Sequence, residues 1–172
     1  MHELTDKAAI PRVGATTTSS GRTITEADLV SFSALTGDWH PQHSDAEWAS
    51  RGRFGERVAH GMLVLSYAVG LMAFDAECVV ALRGVDAATF KRPVRIGDTI
   101  RVRSQVERVR PLDTEHALVA FAWRIVNQDD QVVVRARLEA LWSLEGQDQG
   151  GDVAANGTAV DTDELYVGTV LL

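Results

Sequence analysis

Asp38 and His43 stand five residues apart across a proline, within Leu35-Thr36-Gly37-Asp38-Trp39-His40-Pro41-Gln42-His43-Ser44-Asp45. A carboxylate and an imidazole are the side chains best suited to hold a water and take its proton near neutral pH. Pro41 lacks a backbone donor and disfavours continuation of a helix, so the spacing predicts that both residues sit on a tight turn rather than on a regular element. Such a turn aims both side chains at one water. That pairing suits the addition of water to an activated substrate, or its removal. Each residue also has a plainer reading on its own, Asp38 as a turn former and His43 as a surface residue beside a proline. Asp38, His40, His43 and Asp45 could also be drawn as metal ligands, but a metal needs ligand geometry as well as number, and no metal is expected.

The pattern resembles the MaoC-like, or R-specific enoyl-CoA hydratase, family of hotdog proteins, whose motif reads roughly Gly-Asp-x-Asn-Pro-aliphatic-His with a small residue following. This chain supplies Gly37, Asp38, Pro41, His43 and then Ala49, with His40 where the family usually has Asn and Gln42 where an aliphatic residue is common. Two later segments extend the likeness. Phe54-Gly55-Glu56-Arg57-Val58-Ala59-His60-Gly61-Met62-Leu63 resembles the loop into the family's central helix, and Phe90-Lys91-Arg92-Pro93-Val94-Arg95-Ile96-Gly97-Asp98-Thr99 resembles its later strand–turn–strand.

The resemblance implies hydration or dehydration of an enoyl thioester carried on coenzyme A or an acyl-carrier protein, with no cofactor. In that reaction the attacking water loses a proton, the α-carbon gains one, and charge builds on the thioester oxygen. By the same resemblance Asp38 and His43 hold and activate the water, and the backbone N–H of Gly61 receives the oxygen. The chemistry is sound, because a helix start carries positive partial charge and a residue without a side chain lets a carbonyl approach closely. His40 and His60 flank this set and are expected to contact the substrate. A thioesterase and a non-catalytic acyl-binding hotdog subunit are the alternatives, since one fold hosts several functions.

The elements that must position these groups follow from the pattern of the chain. Thr25 followed by Asp28 has the form of a capping box, and Leu29, Phe32 and Leu35 recur at helical spacing, so a short amphipathic helix leads into Asp38. Asp45 is placed to cap a segment beginning at Ala46. Gly61 to Phe74 is almost continuously apolar and predicts a central helix buried on all sides, with Met62, Tyr67 and Met72 in the core. Val79 to Phe90, Thr99 to Val109, Ala117 to Val126 and Val132 to Leu144 are rich in β-branched and aromatic residues and predict four strands. Ile100, Val102 and Val106 alternate with Arg101, Arg103 and Glu107, the period of a strand with one wet face. Asn127-Gln128-Asp129-Asp130-Gln131 is the loop of the last hairpin. One apolar helix followed by four strands predicts an α+β class, and the resemblance makes it a hotdog fold, an antiparallel sheet wrapped around a central helix. The organisation is a lead-in over 1–21, the MaoC-like domain over 22–144, and over 145–172 an acidic, Gly-rich tail with an apolar end.

Composition narrows the partners. The chain of 172 residues has 45% hydrophobic residues and a net charge of −7, which supports a folded core and argues against a nucleic-acid surface. Six of the 24 acids fall after Ser143, where Lys and Arg are absent, leaving 18 acids against 17 bases ahead of it. A thioester pocket is therefore compatible with the charge. Arg51, Arg53, Arg57, Lys91, Arg92 and Arg95 flank the motif loops and could meet the phosphates of coenzyme A. A single cysteine, Cys78, excludes an intrachain disulfide, and no signal-like or membrane-length apolar run is present. A cytoplasmic setting fits the single cysteine, and a homodimer or a larger assembly of dimers is expected, because a small sheet around one helix leaves strand edges to cover.

Overall fold

The computed structural model describes residues 10–72 and 74–144. The first nine residues of the lead-in and the acidic tail with its apolar end lie outside the described residues. Two short strands, β1 (Thr16–Thr18) and β2 (Arg22–Thr23), precede a helix α1 (Glu26–Thr36), two short helices α2 (Pro41–Ser44) and α3 (Ala46–Ser50), and the central helix α4 (Gly61–Leu71). Strands β3 (Val79–Phe90), β4 (Thr99–Pro111), β5 (His116–Val126) and β6 (Val132–Ser143) complete the order. The sheet runs β1-β4-β5-β6-β3 with β2 also on β4, and every pairing is antiparallel. This is the α+β arrangement that the hotdog resemblance implies.

The core forms where α4 meets the sheet. Leu63, Val64, Leu65 and Ala68 are buried and cluster with Val102, Val119, Trp123, Val134 and Leu138 from β4, β5 and β6. Along β4, Ile100, Val102 and Val106 are buried while Arg101, Arg103 and Glu107 are exposed, so the alternation in sequence is the alternation across the sheet. The loop from 127 to 131 closes on Asn127, whose Oδ1 accepts from the N–H groups of Asp129 and Gln131.

Three sequence expectations need correction. The central helix ends at Leu71 rather than Phe74, because Met72 turns to an extended backbone. It is not buried on all sides: Met62, Ser66 and Gly70, four residues apart and hence on one face, are exposed, with Met62 56% accessible. A continuous apolar run cannot reveal that one chain supplies a sheet to only one side of its helix. Pro41, expected to keep its neighbours off regular structure, is instead the first residue of α2. At that position the missing N–H costs nothing and the fixed φ favours a helix start.

Candidate active site

Helix α1 delivers Asp38. Thr25 caps it and Asp28 closes the capping box, as the sequence pattern predicts, and Gly37 ends it in the left-handed region at φ 77°, a conformation that glycine adopts without strain. Asp38 then folds back, its Oδ1 accepting from the N–H of His40 at 3.2 Å. His40 caps α2, its Nδ1 accepting from the N–H of Gln42 at 3.1 Å. Asp45 caps α3 through the N–H of Trp48, as expected.

His43 lies in the single turn of α2, where its Nδ1 is 2.6 Å from the carbonyl oxygen of Val58. A carbonyl only accepts, so Nδ1 carries the proton and Nε2 is left as a lone-pair base. Burial pushes the His43 imidazole below its ordinary value, His60 and His40 act the same way, and the Val58 bond and Asp38 oppose them. The ring is therefore neutral and basic at neutral pH.

The loop before α4 is stitched on both sides. Val58 N–H donates to Gln42 O, and Ala59 N–H donates to Val94 O at 2.7 Å. This fixes His60 and Gly61 against α2. His60 is the N-cap of α4 without capping it through its side chain, and Gly61 is the first helical residue. The N–H groups of a first turn have no partner inside the helix. A side chain at Gly61 would bring its Cβ to 2.8 Å from the Phe90 ring, so β3 ends directly against the helix start.

His60 is 3% exposed. Its Nε2 lies 3.2 Å from Ser33 Oγ and 3.1 Å from the Asp38 carbonyl oxygen, and its ring stacks on His43 at 3.8 Å between centroids. Ligand-type atoms of Asp38, His43 and His60 all lie within 4.8 Å of one another. That spacing would suit a metal, but hydrogen bonds already occupy His60 Nε2 and His43 Nδ1. His43 Nε2 and the second carboxylate oxygen of Asp38, Oδ2, are left open, Oδ1 being taken by the His40 N–H. His43 and Gly61 open onto a cleft of about 400 Å³ walled by Phe54, Met62, Phe90 and Val134, with Lys91 and Arg92 at its side.

His43 and Gly61 share the cleft, whereas Asp38, half-exposed beside His43 and His60, is not among its lining residues. His40 and His60 do not line the cleft: one is exposed on the turn and the other is beneath His43. Ser33 and Phe90 join the site without having been singled out. Ser33 carried a signal, a hydroxyl one helical position after the Phe32 that packs on the core, whereas nothing local marks Phe90 as the wall beside Gly61. Of the flanking cations, Arg51, Arg57 and Arg95 pair with Glu47, Glu26 and Glu56, and Arg92 donates to the Val132 carbonyl. Lys91 faces the cleft.

Residues 11–136 match the family model of the MaoC like domain. The chain belongs to that family. It is 45% identical over 89 residues to the protein MaoC of Klebsiella aerogenes, covering 51% of this chain and 26% of that protein. It is 32% identical over 93 residues to the (R)-specific enoyl-CoA hydratase of Rhodospirillum rubrum, covering 54% of this chain and 65% of the relative. The chain therefore spans less than two thirds of the length of either. The X-ray structure of a monoamine oxidase regulatory protein from Archaeoglobus fulgius superposes with a TM-score of 0.74 at 34% identity, covering 77% of this chain and 91% of that one. His40, which stands where the motif has Asn, keeps a capping role. An imidazole Nδ1 accepts the Gln42 N–H where the amide oxygen of an Asn would serve equally as a helix cap.

Proposed function

We propose that this MaoC-like domain adds water to, or removes it from, the 2,3 double bond of an enoyl thioester. The observation that carries the reading is that His43, with its basic Nε2, and Gly61, at the start of α4, line one cleft, while a ligand-type atom of Asp38 lies within 4.8 Å of one of His43. In the hydration direction Asp38 and His43 hold a water and take its proton as its oxygen bonds to C3. A proton passes to C2 from the same pair, and the charge that builds on the thioester oxygen is met by the Gly61 N–H. The Rhodospirillum rubrum relative is an (R)-specific enoyl-CoA hydratase, which supports the assignment. Lys91 and Arg92 beside the cleft suit the phosphates of a coenzyme A or carrier-protein arm.

The enzyme works, in this proposal, as a cytoplasmic homodimer with each site near the subunit boundary. The outer strand β3 exposes Val80, Leu82 and Val85, and no helix among the described residues is long and apolar enough to cross a membrane. The test is incubation with crotonyl-CoA while following enoyl absorbance and free thiol together. Loss of the enoyl signal with no thiol released is expected. Thiol release would assign hydrolysis instead, and no change in either would point to a binding role.

A further inference from the structure

His60 touches every part of the proposed machinery without facing the cleft. Its ring lies flat against His43, at an interplanar angle of 27°, and Phe32 from α1 covers it at 5.0 Å. Its Nε2 reaches two oxygens, Ser33 Oγ on α1 and the Asp38 carbonyl just past the end of that helix. The next residue along the chain is Gly61.

The tautomer follows from the partners. The Asp38 carbonyl only accepts, so a contact of 3.1 Å requires the proton on Nε2. The same N–H then points toward Ser33 Oγ, and the remaining ring nitrogen, Nδ1, is buried without a partner. An unpaired acceptor in that place is a smaller penalty than the unpaired donor of the opposite tautomer would be. The ring orientation is thus set by the bond to the backbone of Asp38. A side chain held this way cannot move unless Asp38 or His43 moves with it.

We infer that His60 is a positioning residue of the hydratase site, holding the Asp38 backbone and the His43 ring at fixed distances from the Gly61 N–H. It acts through those residues and does not touch substrate. The inference rests on the hydratase reading for its kinetic consequence but not for its geometry. Misplacing a reacting group by about 1 Å can cost on the order of 100-fold in rate. His60→Gln keeps an N–H donor but removes the ring against His43, so turnover falls about 10-fold or more while KM changes less than about 2-fold. Ser33→Ala removes one partner of Nε2 without touching the cleft. The expected loss is about 3-fold in turnover, as for one neutral hydrogen bond.

A readout independent of turnover is the titration of His43 followed by NMR of the free protein. The groups that bear on His43 are Asp38 and His40 on the turn and His60 at the start of α4, with Lys91 and Arg92 across the cleft. Removing the His60 ring lets water reach His43, so its midpoint moves up in His60→Gln. Lower turnover with steady KM and a raised His43 midpoint bears the inference out. A raised KM with unchanged turnover would make His60 a substrate contact and overturn it. A lower melting temperature with unaltered turnover and an unaltered titration would make it merely structural, which also overturns it. If the wild-type protein hydrates no enoyl thioester, the hydratase reading fails on its own and the His43 titration still decides: a shift supports positioning, and no shift refutes it.

Discussion

His43 owes its readiness as a base to one contact, the bond from Nδ1 to the Val58 carbonyl that leaves Nε2 unprotonated. Its imidazole is held below the ordinary value, chiefly by burial, and only the neutral ring can take a proton from water. Turnover therefore persists below the usual histidine midpoint of about 6.5 and falls as pH drops through the depressed one, which a pH–rate profile reads directly. Asp38→Asn and His43→Gln each lower hydration by about 100-fold with near-normal melting temperatures, as loss of a positioned acid or base requires; wild-type rates in both would remove the pair from the reaction. Gly61→Ala is expected to fold, because alanine favours helices, with the half-exposed Phe90 ring yielding to the new Cβ. Poor turnover in that folded variant, measured against circular dichroism as a control, is the expected result. The pair was legible in sequence because its members are near neighbours there. Phe90 meets the pair only after β3 has packed, and no local pattern records such a meeting; the His60-Gly61 segment marked His60, but as a substrate contact rather than as the ring beneath His43.

Helix α1 has to hold Asp38 in place, and a second contact far from the cleft fixes its other end. Tyr67 on α4 donates to Asp28 Oδ1 at 2.5 Å, and Arg22 donates to the same oxygen at 3.0 Å while its guanidinium lies 3.8 Å from the centre of the Tyr67 ring. Burial alone would raise the Asp28 carboxyl, but the bonds from Tyr67, Thr25 and Arg22 outweigh it and bring it to about 2. A carboxyl lowered on folding stabilises the protein above its unfolded value of about 4, and that contribution, about 2 kcal/mol, is lost as pH falls toward 2. Asp28→Asn should cost about 1–3 kcal/mol at neutral pH, and urea unfolding should show the gap to wild type closing in acid. A gap independent of pH would mean that the charge is not what matters. The capping box at Thr25 and Asp28 was visible in the sequence, whereas the bond to Tyr67 joins residues 39 apart and was not. Pro41 is ambiguous in sequence for a related reason: its chemistry forbids a helix interior but welcomes a helix start, and only the His40 cap decides between them.

Across the molecule, two surfaces are exposed among the described residues. Strand β3 forms an edge with Val80, Leu82 and Val85 exposed, and α4 shows the outside stripe of Met62, Ser66 and Gly70. An open apolar edge invites strand pairing, and a two-fold contact would cover both copies at once. Light scattering after size exclusion should therefore give twice the 18.7 kDa chain mass, and a fully active species at the single-chain mass would refute the interface. Alternating residues in β4 announced which face of the sheet is wet, but strand order is set by pairing between distant segments, so sequence could not show that β3 is the outer strand. Hydration as proposed puts the oxygen of water on C3. Crotonyl-CoA incubated with the protein in oxygen-18 water should acquire label in a hydroxyl on C3 while the thioester stays intact, as mass spectrometry of the product will show. Label in a free carboxylate, or no incorporation at all, would contradict it.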